Sequence, residues 1–176
     1  MLAMLSYIIQ LISFLAAGFA LKYLDFCSER KNKCFLPFVL ALGLNILCMS
    51  FHKDALSWII GMCFGVFIAK KIDNIYLFAG FIGMIVSALI LAQSLGFSLL
   101  VFLVFVFFTW LDEMLHENAE KLAKNRYLGL FFKYRFTLRI ASLCLVLLSI
   151  FNLFYFITFL VWDVGYCGGA IFLSDV

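Results

Sequence analysis

The sequence predicts an all-α protein, a polytopic bundle of six transmembrane helices with both termini outside the cell. Of the 176 residues, 66% are apolar and only 13% are charged, whereas a soluble domain carries about 25% charged residues. Long apolar runs alternate with charged segments, and the basic side chains collect in every second segment. Because so little polar surface cannot cover a globule in water, the chain suits the lipid bilayer as its solvent.

The same composition argues against several classes of function. A soluble enzyme and a nucleic-acid-binding module both need more charged surface than this chain has. The six cysteines include no C-x-x-C pair, so neither a zinc site nor a redox pair is indicated. Serine-nucleophile turns, P-loops and dinucleotide-binding glycine motifs are also absent from the sequence. We therefore predict no catalytic residue, metal or cofactor, and no nucleic-acid partner.

Charged residues mark the ends of the first three helices, because a charge is costly in the hydrocarbon. The first helix is predicted over residues 1–21, immediately before Lys22. The second, 34–51, is followed by a short polar turn and then by the third, 55–69, which stops at Lys70. The third is short for a crossing, which takes about 20 residues.

The remaining three helices follow from one long uncharged run and one late apolar run. Residues 75–111 contain no charge over 37 positions, which is too long for one crossing and suits two. A polar, glycine-containing stretch divides this run into helices 75–92 and 98–111. A cytoplasmic or interfacial segment, 112–139, precedes the sixth helix, 140–162.

The distribution of basic residues sets the predicted orientation. The connections after helices one, three and five hold 12 of the 13 basic side chains, and only Lys53 lies in another connection. The positive-inside rule places those three connections in the cytoplasm, which leaves both termini outside. Residues 1–176 are therefore predicted to form a single integral domain of the plasma membrane.

Small residues recur on the third and fourth helices at a spacing that permits close helix packing. The predicted packing positions are Ser57, Gly61, Gly65 and Ala69 on the third helix and Gly83 on the fourth. Four-residue spacing puts the first four on one stripe, against which another backbone can lie. This stripe fits a homodimer or a contact between helices three and four of one chain. The second interpretation is favoured, because such stripes are common in membrane bundles.

An acidic cluster after the fifth helix is the candidate polar or metal site. Its members are Asp112, Glu113, His116, Glu117 and Glu120. On a continuing helix, several of them would share one face. A complete carboxylate metal site needs further ligands that the sequence does not supply. The favoured interpretation is therefore a solvated helical extension, paired with nearby lysines.

Basic residues between the cluster and the sixth helix are predicted to contact lipid headgroups. Lys133, Arg135 and Arg139 lie in a stretch that mixes apolar, aromatic and basic residues. Such a stretch is typical of the inner interface, where each charge gains about 1 kcal/mol from anionic lipids. No ionisable side chain falls in the middle of a predicted helix, which argues against an ion-coupled transporter.

Three functions stay open at this point. The sequence favours a non-enzymatic helical membrane component that packs with itself or with a partner membrane protein and contacts membrane lipids. The first alternative is the membrane or solute-binding subunit of a transporter, which a polar cavity at mid-membrane would indicate. The second is a lipid-modifying enzyme that uses the acidic cluster, which would require those side chains to converge with basic residues around one pocket.

Overall fold

The computed structural model describes residues 2–29, 34–72, 74–122 and 136–174, and nearly all of these are helical. Within this part of the chain there are seven helices and no strand, which confirms the all-α fold class. The helices are α1 (Leu2–Glu29), α2 (Phe35–Met49), α3 (Lys53–Ile68), α4 (Ile75–Leu95), α5 (Leu99–Leu122), α6 (Phe136–Leu147) and α7 (Leu153–Ser174).

Polar side chains in the turns begin three of the helices. His52, Asn74 and Asn152 each accept a hydrogen bond from the backbone N–H two residues later, at 3.2, 2.7 and 2.8 Å. These bonds satisfy donors that the first helical turn leaves without a partner. The turn that follows α4 is made by Gly96, whose φ of 78° suits glycine.

Four helices are long and apolar enough, by length and composition, to cross a membrane. They are Met4–Ser28, Ile75–Leu95, Leu99–His116 and Leu153–Ala170. Two further apolar helices, α2 and α6, are shorter, at 15 and 12 residues.

The predicted sixth helix, 140–162, is wrong as a single element. The chain leaves the helix after Leu147 and starts α7 at Leu153. The N–H groups of Ser149 and Ile150 close the end of α6 on the carbonyls of Val146 and Leu145 at 2.9 and 3.0 Å. Ser149 adopts the left-handed conformation, with φ of 57°. This stretch is apolar, so hydropathy does not reveal the break.

The extra helix changes the relation between the two ends of the bundle. Tyr7 lies 4.7 Å from Phe154 between ring centroids, and near the other end Tyr166 donates to Asp25 at 3.3 Å. Helices α1 and α7 therefore run parallel, as expected for the first and seventh of a series that reverses at each connection. The first residues of α1 and the last of α7 lie at opposite ends, unlike the same-side arrangement predicted for six helices.

The stripe of small residues on α3 faces α5 rather than the expected α4. A Cβ added to Gly61 would stand 2.7 Å from the Cβ of Phe105, and one added to Gly65 would stand 2.5 Å from that of Thr109. Both distances are too short for a side chain, so only glycine allows this approach. Ser57, on the same stripe, accepts a hydrogen bond from the backbone N–H of Ser98 at 2.8 Å.

The remaining predicted packing residues lie at other contacts. Ala69 is the C-terminal cap of α3. Gly83 on α4 faces α2, where an added Cβ would come within 3.2 Å of Leu42. The contact between α3 and α4 is aromatic, since Phe67 stacks on Phe81 at 4.6 Å.

Among the glycine contacts of the described residues, the tightest are between α1 and α7. A Cβ on Gly18 would overlap the backbone carbonyl of Trp162, and a Cβ on Gly165 would overlap that of Leu15. Each helix therefore contributes one glycine against the backbone of the other. This reciprocal contact fixes the parallel pair at short distance.

Aromatic side chains fill the centre of the bundle. Trp58 on α3 is 0% exposed. Its ring lies 5.7 Å from Phe14, 6.0 Å from Phe105, 5.6 Å from Phe159 and 5.9 Å from Trp162. Helices α1, α3, α5 and α7 thus meet around one indole.

Candidate functional site

Polar side chains of three helices converge on one stretch of α7, residues 162–167. We call the group the polar layer, and its members are Lys22 and Asp25 of α1, Asn45 of α2, Arg139 of α6, and Trp162, Asp163, Tyr166 and Cys167 of α7. Four-residue spacing puts two polar faces on α7. One carries Trp162 and Tyr166 towards α1 and α2, and the other carries Asp163 and Cys167 towards α6.

The ion pair of the polar layer joins α6 to α7. Arg139 places Nη2 at 2.5 Å and Nε at 2.8 Å from Oδ2 of Asp163. The side chains are 27% and 19% exposed, so the pair is largely shielded. The guanidinium also lies 5.0 Å from the ring centroid of Phe136, a cation–π distance. Cys167 lies within weak hydrogen-bond range of the same carboxylate, with Sγ 3.9 Å from Oδ1.

On the other face of α7, one carboxylate receives two donors. Asp25 Oδ2 accepts from Lys22 Nζ at 2.6 Å and from the Tyr166 hydroxyl at 3.3 Å. Lys22 also lies 5.3 Å from the centre of the Tyr166 ring. The three groups link the last turns of α1 to α7 by charge, hydrogen bond and cation–π contact.

A buried hydrogen bond joins α7 to α2. The indole Nε1 of Trp162 donates to Oδ1 of Asn45 at 3.2 Å. The amide of Asn45 also donates to the carbonyl of Ala41 at 2.8 Å, so its oxygen and nitrogen both have partners. A buried amide satisfied in this way stabilises a specific helix pair.

Asp112, the first residue of the acidic cluster, caps α6 from a neighbouring helix. Its carboxylate accepts from the hydroxyl of Thr137 and, at 3.0 Å, from the backbone N–H of Leu138. The side chain is 3% exposed. A negative charge at a helix N-terminus satisfies free N–H groups and interacts favourably with the helix dipole.

The other residues of the acidic cluster differ in burial. Glu113 is buried like Asp112, at 6% exposed, whereas His116 is exposed although it lies one turn after Asp112. The side chains of Glu117 and Glu120 lie outside the described residues. In the part of the chain that the structure describes, no three His, Cys, Asp or Glu side chains come together as a metal site.

The predicted headgroup contacts have different surroundings. Arg139 binds Asp163 within the bundle. Lys133 and Arg135 lie outside the described residues.

An apolar groove of about 430 Å³ runs between α5 and α6. It is lined by Val104, Phe108, Thr137, Ile140, Ala141, Cys144, Leu145 and Leu148.

Asp163 is a site residue that the sequence pattern did not indicate. The predicted sixth helix ended at Trp162, which placed Asp163 just outside it. The apolar span of α7, Leu153–Ala170, instead contains Asp163 near its middle. The expectation that no ionisable group lies within a crossing is therefore wrong for this helix. The residue in the sequence that could have indicated the start of α7 is Asn152, because asparagine favours the position just before a helix.

The charged side chains of the site bind polar partners inside the bundle. Arg139 binds Asp163, Lys22 binds Asp25, and Asp112 binds the start of α6. The first interaction joins α6 to α7, the second lies within α1, where Asp25 also accepts from Tyr166 of α7, and the third fixes the start of α6. No family model matches this chain, and no curated protein or solved structure matches it.

Proposed function

We propose that the chain is a multi-pass integral protein of the plasma membrane that serves as a non-enzymatic helical component. The observation that carries this proposal is the filled centre of the bundle. Trp58, Phe14, Phe105 and Phe159 are each at most 2% exposed and pack together at the centre of the bundle. A bundle closed by aromatic rings transmits no solute and suits a scaffold that packs against lipids or other membrane proteins.

This interior favours a structural component over the two alternatives. A transporter subunit binds its solute in a polar cavity, whereas aromatic side chains fill the centre of this bundle. A lipid-modifying enzyme would use the acidic cluster as reacting groups. Asp112 is instead engaged by Thr137 and Leu138 at the start of α6.

The proposed orientation follows from the alternation of the helices. Helices α1, α3 and α5 end at one end of the bundle, which we call the basic end. The connections that follow them carry nine of the 13 basic side chains, and three more, Lys22, Lys121 and Arg139, lie on the helices that border those connections. The positive-inside rule places the basic end in the cytoplasm. With seven crossings, the start of α1 is outside and the end of α7 is in the cytoplasm.

Insertion is tested by extraction of isolated membranes with alkaline carbonate, and orientation by cysteine labelling on a cysteine-free variant. We expect the chain to stay in the membrane pellet. Cysteine at position 53 should react with an impermeant maleimide added outside, whereas positions 71 and 174 should react only after permeabilisation. Position 174 separates seven crossings from six, because the six-helix arrangement places it outside. Release by carbonate would overturn the membrane proposal.

A further inference from the structure

A second depression lies at the basic end, where α3 finishes. It measures about 370 Å³ and is lined by Phe67, Ile68, Lys70 and Ile72. Phe67 and Ile68 are 43% and 50% exposed, and Lys70 is also exposed. The depression therefore combines an apolar wall, open to the surroundings of the bundle, with one cationic side chain at its rim.

The backbone turns sharply at Lys70. Its φ is 58°, in the left-handed region that a glycine usually occupies at this position after a helix. The N–H groups of Lys70 and Lys71 bond to the carbonyls of Phe67 and Val66 at 3.0 and 3.2 Å. The turn places the lysine beside the apolar residues of the last helical turn.

The charge of Lys70 has no counterpart among the residues that the structure describes. The ion pairs of those residues involve Lys22, His52 and Arg139. At the cytoplasmic surface of a membrane, a lysine such as Lys70 attracts anionic lipid headgroups.

We propose that this depression binds an anionic phospholipid of the surrounding membrane. An acyl chain lies along Phe67, Ile68 and Ile72, and the phosphate lies at Lys70. The inference rests on the proposed membrane location, because only there is the apolar wall in contact with lipid. The apolar wall matches the acyl chain of a phospholipid, and the lysine at its end matches the phosphate. The two lie in the order expected where a helix passes from the hydrocarbon to the headgroups.

The test uses the full chain in nanodiscs that contain phosphatidylglycerol or phosphatidylcholine with a photoactivatable acyl chain. Crosslinks are mapped by mass spectrometry to residues 66–72. We expect a yield about five-fold higher with phosphatidylglycerol, the ratio that one lysine charge near the surface supplies. Lys70→Gly should lower that yield to the phosphatidylcholine level. Glycine suits the left-handed turn, so this variant keeps the fold.

Two variants serve as controls. Lys70→Arg keeps the charge and should keep the higher crosslinking yield with phosphatidylglycerol. Lys53→Ala removes a lysine at the other end of α3 and should leave that yield unchanged. Equal yields for the two lipids, or an unchanged yield in Lys70→Gly, would overturn the lipid site and leave the membrane proposal intact. Carbonate extraction, measured separately, reports on the membrane proposal alone.

Discussion

Arg139 of α6 binds Asp163 of α7 through two nitrogen atoms, Nη2 at 2.5 Å and Nε at 2.8 Å from one carboxylate oxygen. Helix α6 has 12 residues, a length at which an isolated helix is marginal. The pair attaches its first turn to α7, while Asp112 of α5 caps the same turn. Two carboxylates from two neighbouring helices thus hold the start of the shortest described helix.

Asp163→Asn should destabilise the bundle by about 2 kcal/mol, because Arg139 would keep its charge and lose its charged acceptor. Thermal unfolding in detergent measures the loss. Replacing both residues, in Arg139→Met with Asp163→Leu, should cost less than the single change, because no unpaired charge is left. If the stability losses of the two single variants add up to the loss of the double variant, the two side chains are not coupled.

Gly18→Ala should destabilise the protein by about 1–3 kcal/mol, because the added Cβ overlaps the carbonyl of Trp162 and pushes α1 from α7. Gly43→Ala is the matched control. Its added Cβ meets nothing within 4 Å, so the higher helix propensity of alanine should leave stability unchanged or raise it by up to about 1 kcal/mol. Thermal unfolding in one detergent compares the two. Similar effects at both positions would contradict the close contact.

Asp112→Ala should cost about 0.5–2 kcal/mol through loss of the cap on α6. Amide hydrogen exchange should accelerate at the start of α6, where Leu138 donates to this carboxylate. Asp112→Asn keeps an acceptor oxygen and should show a smaller effect. His116→Ala, at an exposed position on the same helix, should change stability by less than about 0.5 kcal/mol. Unchanged exchange in Asp112→Ala would rule out the capping role.

Added zinc, manganese or iron should not raise the melting temperature of the wild-type protein. A ligand at 100 times its dissociation constant would stabilise the folded state by about 2.7 kcal/mol. In the described residues, the acidic cluster does not supply a metal-ligand set. The prediction fails if a metal raises the melting temperature and both Glu113→Gln and His116→Ala remove the increase.

The all-α class could be predicted because charge is costly in hydrocarbon and marks where apolar helices stop. That rule also locates the start of α4 at Ile75, which follows the polar turn after Lys71. It says less about where helical hydrogen bonding ends. Helix α1 continues to Glu29 and α5 to Leu122, since a helix can proceed into a polar environment without a change of backbone.

The break before α7 could not be predicted from hydropathy. Leu148, Ile150 and Phe151 are apolar, and the turn depends on the left-handed backbone of Ser149, which is uncommon for residues other than glycine. Because this break was not predicted, Asp163 was placed after the end of the predicted sixth helix rather than inside α7. One backbone conformation thus decided both the number of helices and the position of a charged site residue.

Helix spacing patterns predicted close packing but not the partner. The stripe of Gly61 and Gly65 allows any backbone to approach, and the neighbour is α5 because Phe105 and Thr109 fit above the two glycines. Gly18 and Gly165 carry no local pattern that points to each other. Their contact depends on the parallel course of α1 and α7, which no short-range spacing encodes.

The reciprocal glycine contact also sets an order of events during synthesis. The partner of Gly18 is made roughly 150 residues later, which at ribosomal speed takes about 7 to 30 s. Throughout that interval, Gly18 lacks the α7 backbone against which it packs in the folded bundle. Helix α7 therefore completes a contact surface that α1 presents much earlier in synthesis, and a nascent chain that stops before Gly165 leaves the glycine face of α1 without this partner.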